Sequence, residues 1–558
     1  MMMIRTFIIN AVLIWLTGYS ECADKKYAPI IQLGNYGKIR GIVQNEAMVN
    51  FSTIGMNIYL YQGIRYGKAR RFDRPKRVDS WSDIYDAIEY REACPQSGLE
   101  SDSIYRDILD QTKKMGEDCL FLNVWTTERA MELVDKPGQR RPVMVFIHGG
   151  AYKSGTIFSK IYDGGIFAAN GNMVVVSIAY RLGPFGFLYT GDESEQANGN
   201  QGLYDQILAL QWIQENIHYF GGDPNQVTVF GQSAGSFSVS HLILSPLANG
   251  FFHRAILQSG SSISDTACAS KSHEQSKAKT IAKKLNCNDN MTTITECLRE
   301  KSIEELLSIR LDQQLMAIYG DEFLPLRPVE ALKNDHYNIN KVDLMFGVTR
   351  DEGDFYVQNS FNGHHEVSLN LVQEKIRKRF TDHPYVEDVV HFYTKNLNDS
   401  STLDEKRTAL SHAYGDYHII CPTILFGKEY HRRFSQVKQY SYRLMAPVKS
   451  IFFGDKWNGV GHAQDIFYMF GIPYRFTQNK SYTQQERDLS RDMIKAWIKF
   501  AQDGIQTTIG NTNIEWTKAL DGSSSSVHFM ALNSENYRMI SDYFEPICDD
   551  FWRSKVFV

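Results

Sequence analysis

Short runs of consecutive apolar residues recur along this chain and alternate with longer segments of helical period. In the runs nearly every position is hydrophobic, which is typical of strands buried on both faces. The longer segments, 206–217 and 484–501, repeat their apolar positions with the period of an amphipathic helix. Strands separated by helices predict a large, mostly parallel sheet covered by helices on both faces. The predicted strands are 143–147, 174–180, 227–230, 254–258, 342–348 and 440–444.

One predicted strand runs directly into a serine flanked by small residues. The strand at 227–230 is followed by Gly231-Gln232-Ser233-Ala234-Gly235, and 236–244 is predicted to be a helix. Small residues on both sides allow a sharp turn that presents the serine hydroxyl to a base. The pattern G-x-S-x-G also arises by chance in long chains, but the strand–turn–helix context favours a nucleophile. The sequence therefore predicts a hydrolase with Ser233 as its nucleophile.

A serine nucleophile needs a histidine base and an acid, which follow it along the chain in the order acid, then histidine. The strand at 342–348 leads into Asp351 and Glu352, at the strand end where an acid of this kind belongs. Either carboxylate could orient an imidazole. Among the 15 histidines, His462 combines a glycine-flanked approach with a position after the acid. We therefore expect His462 to be the base.

A second glycine-rich turn follows the strand at 143–147. It reads His148-Gly149-Gly150-Ala151-Tyr152. Loops of this composition can aim backbone N–H groups at the negative oxygen of a tetrahedral intermediate, although an ordinary tight turn has the same composition. Beside a serine nucleophile, the loop is expected to be an oxyanion hole.

Length and charge narrow the class of protein. The 558 residues, 43% hydrophobic and 22% charged, would alone suggest several domains. The candidate catalytic residues span 233–462, however, so one large catalytic domain with long insertions is expected over 24–558. A net charge of −4 argues against a nucleic-acid-binding protein. The expected partner is a small-molecule ester.

The N-terminus has the pattern of a secretory signal peptide. Arg5 precedes an apolar run over 7–16, which is too short to span a bilayer, and small and polar residues follow it. Residues 1–23 are therefore predicted to be a leader, and the mature protein is expected outside the cell, without a membrane span or lipid-anchor tail. Four Asn-x-Ser/Thr sites are candidates for glycosylation: Asn50, Asn290, Asn398 and Asn479.

Several segments together resemble the type-B carboxylesterases and cholinesterases, which are α/β-hydrolases. They appear in the order of that family, and they are 117–125, 148–152, 220–235, 351–353 and 459–462. The resemblance implies an α/β-hydrolase fold and hydrolysis through an acyl-enzyme, with no metal and no organic cofactor. It also implies a role for six residues: Ser233 as nucleophile, His462 as base, Glu352 as orienting acid, and the N–H groups of Gly150, Ala151 and Ala234 as oxyanion hole.

Cysteines and buried charges fit the same resemblance. Eight cysteines are many for a reducing compartment if they are paired. Cys22 falls in the leader, and Cys268 is left as a free thiol. The implied disulfides are Cys94–Cys119, Cys287–Cys297 and Cys421–Cys548. The implied structural ion pairs are Arg71–Glu117 and Arg181–Asp205.

Departures from the cholinesterase pattern bear on the substrate. Cholinesterases usually carry glutamate just before the nucleophile, where this chain has Gln232, and they place a tryptophan within the interval that corresponds to 94–119, where this chain has none. Cation–π contacts contribute up to about 2 kcal/mol when desolvated, so choline recognition should be weak. Phe355 and Tyr356 could still form an aromatic wall.

We therefore expect a neutral carboxylic ester, such as a xenobiotic or hormone ester. The stretches 231–235 and 459–465 are also similar to those of juvenile hormone esterases. A choline-ester hydrolase is the alternative. A further alternative, of another class, is an adhesion or recognition protein of the same fold, which retention of the complete site disfavours.

Overall fold

A computed structural model describes most of the chain. The described ranges are 26–44, 56–97, 114–191, 197–287, 291–311, 313–357, 367–381, 383–449, 459–476, 482–521, 526–541 and 544–556. The predicted leader and the glycosylation candidates Asn50, Asn290 and Asn479 lie outside them. Asn398 is exposed in the turn before a helix. No helix within these ranges has both the length and the apolar character needed to cross a bilayer.

A sheet of eleven strands organises the described part of the chain. Numbered along the chain, its strands are β1 Ile42–Gln44, β2 Ile58–Arg65, β3 Phe121–Thr127, β4 Arg141–Ile147, β5 Val174–Ile178, β6 Gly222–Gln232, β7 Arg254–Gln258, β8 Asp343–Thr349, β9 Gln439–Leu444, β10 His528–Leu532 and β11 Arg538–Ser541. Their order across the sheet is β11-β10-β9-β8-β7-β6-β4-β5-β3-β2-β1. The strands from β5 across to β10 are parallel, and the outer ones are antiparallel.

The apolar runs form strands because both faces of the sheet are covered. In β4, Val143 and Val145 pack into the core on one face, whereas Met144 and Phe146 pack into a second core on the other. Successive side chains of a strand point to opposite faces, so a strand covered on both sides must be apolar throughout. The mostly parallel sheet of an α/β-hydrolase is thereby confirmed.

Helices cover both faces. They are α1 Glu128–Met131, α2 Gly165–Gly171, α3 Gly183–Phe187, α4 Gln201–Asn216, α5 Ala234–Leu244, α6 Lys271–Lys284, α7 Met291–Glu300, α8 Ile303–Ser308, α9 Pro328–Lys333, α10 Asp354–Val357, α11 Leu369–Arg379, α12 Val386–Thr394, α13 Leu403–Gly415, α14 Cys421–Arg433, α15 Gln464–Met469, α16 Ile472–Arg475, α17 Gln484–Asp503 and α18 Arg553–Val556. Short paired strands lie outside the main sheet, at Ile31–Leu33, Gly37–Arg40, Gly67–Lys68, Lys76–Arg77, Tyr85–Asp86, Cys268–Ala269 and Ala317–Ile318.

Boundaries differ from the apolar pattern where buried residues are polar. Helix α4 begins five residues before the predicted 206, and its first turns bury Gln201 and Asp205. The Asp205 carboxylate accepts hydrogen bonds from Arg181 Nε and Nη2 at 2.8 and 2.7 Å. This ion pair is almost completely buried. Because its members are charged residues inside the core, the apolar pattern of the sequence does not show that this part of the helix is buried. The Arg71–Glu117 ion pair is also present.

Three disulfides fix segments of the fold: Cys94–Cys119, Cys287–Cys297 and Cys421–Cys548. The last joins the start of α14 to a π-helix at Glu545–Trp552. Cys268 is free and half-buried, and desolvation raises the pKa of its thiol to about 12. A thiol so rarely ionised is a weak nucleophile.

Candidate active site

Ser233 lies between the end of β6 and the first residue of α5. Its φ of +58° is in the left-handed region, a strained conformation for a residue with a side chain and a common one at functional turns. A side chain on Gly235 would overlap the Ile147 carbonyl oxygen, and one on Gly231 would overlap the backbone of Gly235. Only glycine lets strand and helix approach so closely. The local sequence thus forces the serine onto a sharp turn, where it is half-exposed.

Glu352 is the acid that contacts the candidate base. Its Oε2 lies 2.6 Å from His462 Nδ1, and its side chain is fully buried. The Thr349 N–H donates to the other carboxylate oxygen, Oε1, at 2.6 Å. With both oxygens engaged, the carboxylate holds the imidazole in one orientation. Because Nδ1–H donates to Glu352, the neutral ring presents its lone pair at Nε2.

Asp351, the other carboxylate that the sequence left open, holds the histidine loop instead. Its Oδ2 accepts from the Val460 N–H at 2.6 Å, and its own N–H donates to the Val460 carbonyl at 3.0 Å. Burial raises the pKa of Asp351, but the neighbouring His412 and Arg350 outweigh that effect and lower it to about 2. Asp351 is therefore ionised at neutral pH and fixes the backbone that carries His462.

The Nε2 atom of His462 lies 3.1 Å from the side-chain amide nitrogen of Gln232. Within the described ranges, the hydrogen bonds of His462 go to Glu352 and Gln232, and none joins the Ser233 hydroxyl to the imidazole. Bonds between catalytic groups are often long or absent before substrate binds. Gln232 precedes Ser233 directly in the chain, so the candidate base is held beside the candidate nucleophile.

The glycine-rich loop after β4 has an unusual backbone. Gly150 has a φ of +114° and Ala151 a φ of +57°. The Gly150 carbonyl accepts from the N–H groups of Lys153 and Ser154 at 2.9 Å each. None of the hydrogen bonds found for the described residues uses the N–H of Gly150, Ala151 or Ala234. Ala234 begins α5, where the first N–H groups have no partner within the helix. These three donors are available to an oxyanion.

A cluster of carboxyl groups surrounds the acid and the histidine loop. Asp354 is buried and accepts from the Ser411 hydroxyl at 2.9 Å. Desolvation, together with the charge of Asp351, raises the pKa of Asp354 to about 7. Asp465, the second residue of α15, is buried and accepts from Gln258 and Tyr442 at 2.9 Å each. The sequence interpretation missed both, although three acids in the four residues 351–354 were a signal that not all could be ionised.

We expect Asp354→Asn to stabilise the protein at alkaline pH. The folded pKa, about 7, lies above the ordinary value of 3.8, so the stabilising contribution of this carboxyl is complete below about pH 4 and is lost as pH rises through 7. Asparagine does not ionise and keeps an acceptor for Ser411. The variant should therefore gain ~3 kcal/mol over the native protein near pH 8, and less near pH 5. Thermal unfolding of both proteins at these two pH values measures the difference in their free energies of unfolding. The same difference at both pH values would contradict a raised pKa for Asp354.

Aromatic residues follow the acid. Phe355 is 65% exposed, whereas Tyr356 packs against the ring of His418. Residues 98–113, within the interval that lacks tryptophan, lie outside the described ranges. Over the part of the chain that the structure describes, no cluster of histidine, cysteine and acidic residues is suited to hold a metal ion.

Comparisons with known proteins place this geometry in context. A model of the carboxylesterase family matches residues 28–552. An acetylcholinesterase of Bungarus fasciatus is 34% identical over 86% of this chain and 79% of that protein. A cholinesterase of Mus musculus is 31% identical over 93% of this chain and 85% of its own length. Acetylcholinesterase-1 of Trittame loki is 33% identical over 89% of this chain and 90% of its own length.

Proposed function

The chain belongs to the carboxylesterase family of carboxylic ester hydrolases, and we propose that it cleaves neutral esters with a triad of Ser233, His462 and Glu352. The observation that carries the triad is the 2.6 Å contact between the buried Glu352 and His462 Nδ1, beside a serine on a strained turn. The N–H groups of Gly150, Ala151 and Ala234 form the oxyanion hole in this proposal. A typical oxyanion-hole donor contributes about 3–4 kcal/mol to transition-state stabilisation.

The proposed reaction proceeds in two steps. Nε2 of His462 takes the Ser233 proton as the oxygen attacks the ester carbonyl, and Glu352 stabilises the imidazolium that forms. The imidazolium then protonates the alcohol as it leaves, which yields the acyl-enzyme. Water, deprotonated by the same nitrogen, attacks the acyl group. The bond between the acyl carbon and the Ser233 oxygen then breaks, the imidazolium returns its proton to that oxygen, and the carboxylic acid is released.

A neutral alcohol group is the better fit to the residue before the nucleophile. Gln232 is buried, and its amide carries no net charge to attract a quaternary ammonium. The relatives compared above are named cholinesterases, and the exposed Phe355 offers an aromatic face on which a cation could rest. Choline esters are therefore the second candidate.

Two substrates of nearly equal shape separate these candidates. Acetylcholine and 3,3-dimethylbutyl acetate differ only in a quaternary nitrogen replaced by carbon. We expect kcat/KM for the uncharged ester to equal or exceed that for acetylcholine. A preference for acetylcholine of tenfold or more, equivalent to about 1.4 kcal/mol, would contradict the neutral-ester proposal and favour choline esters.

Secretion is part of the proposal. The three disulfides support it, because such bonds persist in oxidising compartments, and so does the leader pattern of residues 1–23. The N-terminal sequence of protein collected from the medium of expressing cells tests it.

A non-catalytic adhesion protein is not supported, because the serine, histidine, acid and glycine-rich loop are all retained.

A further inference from the structure

The side chain of Gln232 lies between the candidate base and the candidate oxyanion loop. It is 5% exposed, and its amide nitrogen is 3.1 Å from His462 Nε2. A Cβ atom built on Gly149 would lie 3.2 Å from Oε1, the side-chain amide oxygen of Gln232, so the other half of the amide faces the loop before Gly150. Gln232 therefore contacts the nitrogen that must receive a proton.

The hydrogen-bond pattern fixes which group donates. Glu352 is acceptor-only when ionised, so Nδ1 carries the proton, and Nε2 of the neutral ring is an acceptor. The Gln232 amide N–H consequently donates to Nε2. The lone pair that would remove the Ser233 proton is thus already engaged in the resting protein.

We propose that Gln232 is a positioning residue that holds His462 Nε2 in the resting enzyme and releases it to the Ser233 hydroxyl when an ester binds. This inference rests on the proposed triad and adds to the reaction a first step, in which Gln232 releases Nε2 of His462. An N–H that donates to Nε2 stabilises the neutral imidazole and must move away when that nitrogen is protonated. Gln232 therefore biases the base toward the form that can act.

The charges around His462 show why such a bias matters. The acidic groups nearest the imidazole and its loop are Glu352 at Nδ1 and Asp351, which is paired with Arg350 and lies near His412. Asp354 beside the backbone of 459–461 and Asp465 on α15 lie close as well, but burial raises the pKa of both and so reduces the charge they carry. Negative charge close to an imidazole favours its protonated, inactive form. A carboxylate at position 232 would add negative charge and accept a hydrogen bond from Nε2–H, and both effects favour the protonated imidazole. The amide N–H of Gln232 instead donates to Nε2 and favours the neutral imidazole.

The pH profile of kcat/KM for a neutral ester tests this role, because an effect on packing alone would not move the profile. Gln232→Glu should shift the acid limb, where activity falls as the base is protonated, to higher pH by at least about one unit. Gln232→Met, of similar size and without a donor, should shift it upward by about half a unit to one unit, the effect of one lost hydrogen bond.

The control is Gln436→Glu, which makes the same charge change at an exposed residue, where Gln436 Oε1 accepts from Lys341 Nζ at 3.0 Å. This variant should leave the pH of the acid limb unchanged. An active Gln232→Glu variant with the native limb would overturn the inference. If that variant does not fold, an unshifted limb in Gln232→Met would do the same. These outcomes are separate from failure of the triad itself, which retained activity in Ser233→Ala would show.

Discussion

Ser233→Ala is expected to lower kcat for ester hydrolysis by roughly 10⁵-fold or more, because no acyl-enzyme can form without the hydroxyl. The methyl group of alanine fits the same turn, and the Ser233 N–H that donates to the Gln258 carbonyl at 2.9 Å is retained. Folding should therefore be preserved. Steady-state turnover of a neutral ester, together with thermal unfolding, measures both effects.

Ser236→Ala, in the first turn of the helix that follows Ser233, is the matched control. The Ser236 hydroxyl donates to the Gly260 carbonyl at 2.6 Å and is fully buried. Its loss should reduce stability by about 1–3 kcal/mol while kcat stays within a few-fold of the native value. If Ser233→Ala kept more than a hundredth of the native kcat, Ser233 would not be the nucleophile.

Glu352→Gln is expected to lower kcat by roughly 10⁴-fold, the scale found when the acid of a serine triad is replaced by its amide. The reason lies in the second contact of the carboxylate. The Thr349 N–H requires an acceptor at Oε1, so a glutamine would place its oxygen there and turn its NH₂ group toward Nδ1. The imidazole would then carry its proton on Nε2, where it cannot accept one from Ser233.

Asp351→Asn tests the loop that carries His462 separately from the orientation of the His462 ring. Asp351 binds the Val460 N–H and Arg350, whereas among the described residues the hydrogen bond to His462 Nδ1 comes from Glu352. Its amide variant should lower kcat/KM by about 10–100-fold, the usual effect of a supporting residue. Turnover of one ester by both variants gives the comparison. A larger loss in Asp351→Asn than in Glu352→Gln would reverse the assignment of the acid.

Much of the sheet could be predicted from apolar runs because the strands are covered on both faces. The strand at 254–258 has the predicted bounds, the strand at 343–349 is shifted by one residue from the predicted 342–348, and the strand at 439–444 begins one residue before the predicted 440. By contrast, β6 begins at Gly222 rather than 227, across an irregular pairing that includes Pro224. Backbone pairing through a polar turn leaves no hydrophobic pattern to detect.

The sequence predicts the members of the candidate site but not the contacts between them. Spacing and motifs predict Ser233 as nucleophile and His462 as base, whereas chemistry alone leaves the choice between Asp351 and Glu352 open. In the structure, Glu352 is the carboxylate that contacts His462 Nδ1. The contact of Gln232 with His462 joins residues 230 positions apart. Such long-range contacts depend on how loops converge at the sheet edge, which no local pattern encodes.

Covalent labelling with an organophosphate ester, followed by peptide mass mapping, tests the central claim most directly. The account predicts that loss of activity parallels the attachment of a single phosphoryl group, that the group is on Ser233, and that Ser233→Ala takes up none. Attachment to another residue, or complete inactivation without attachment to Ser233, would contradict it.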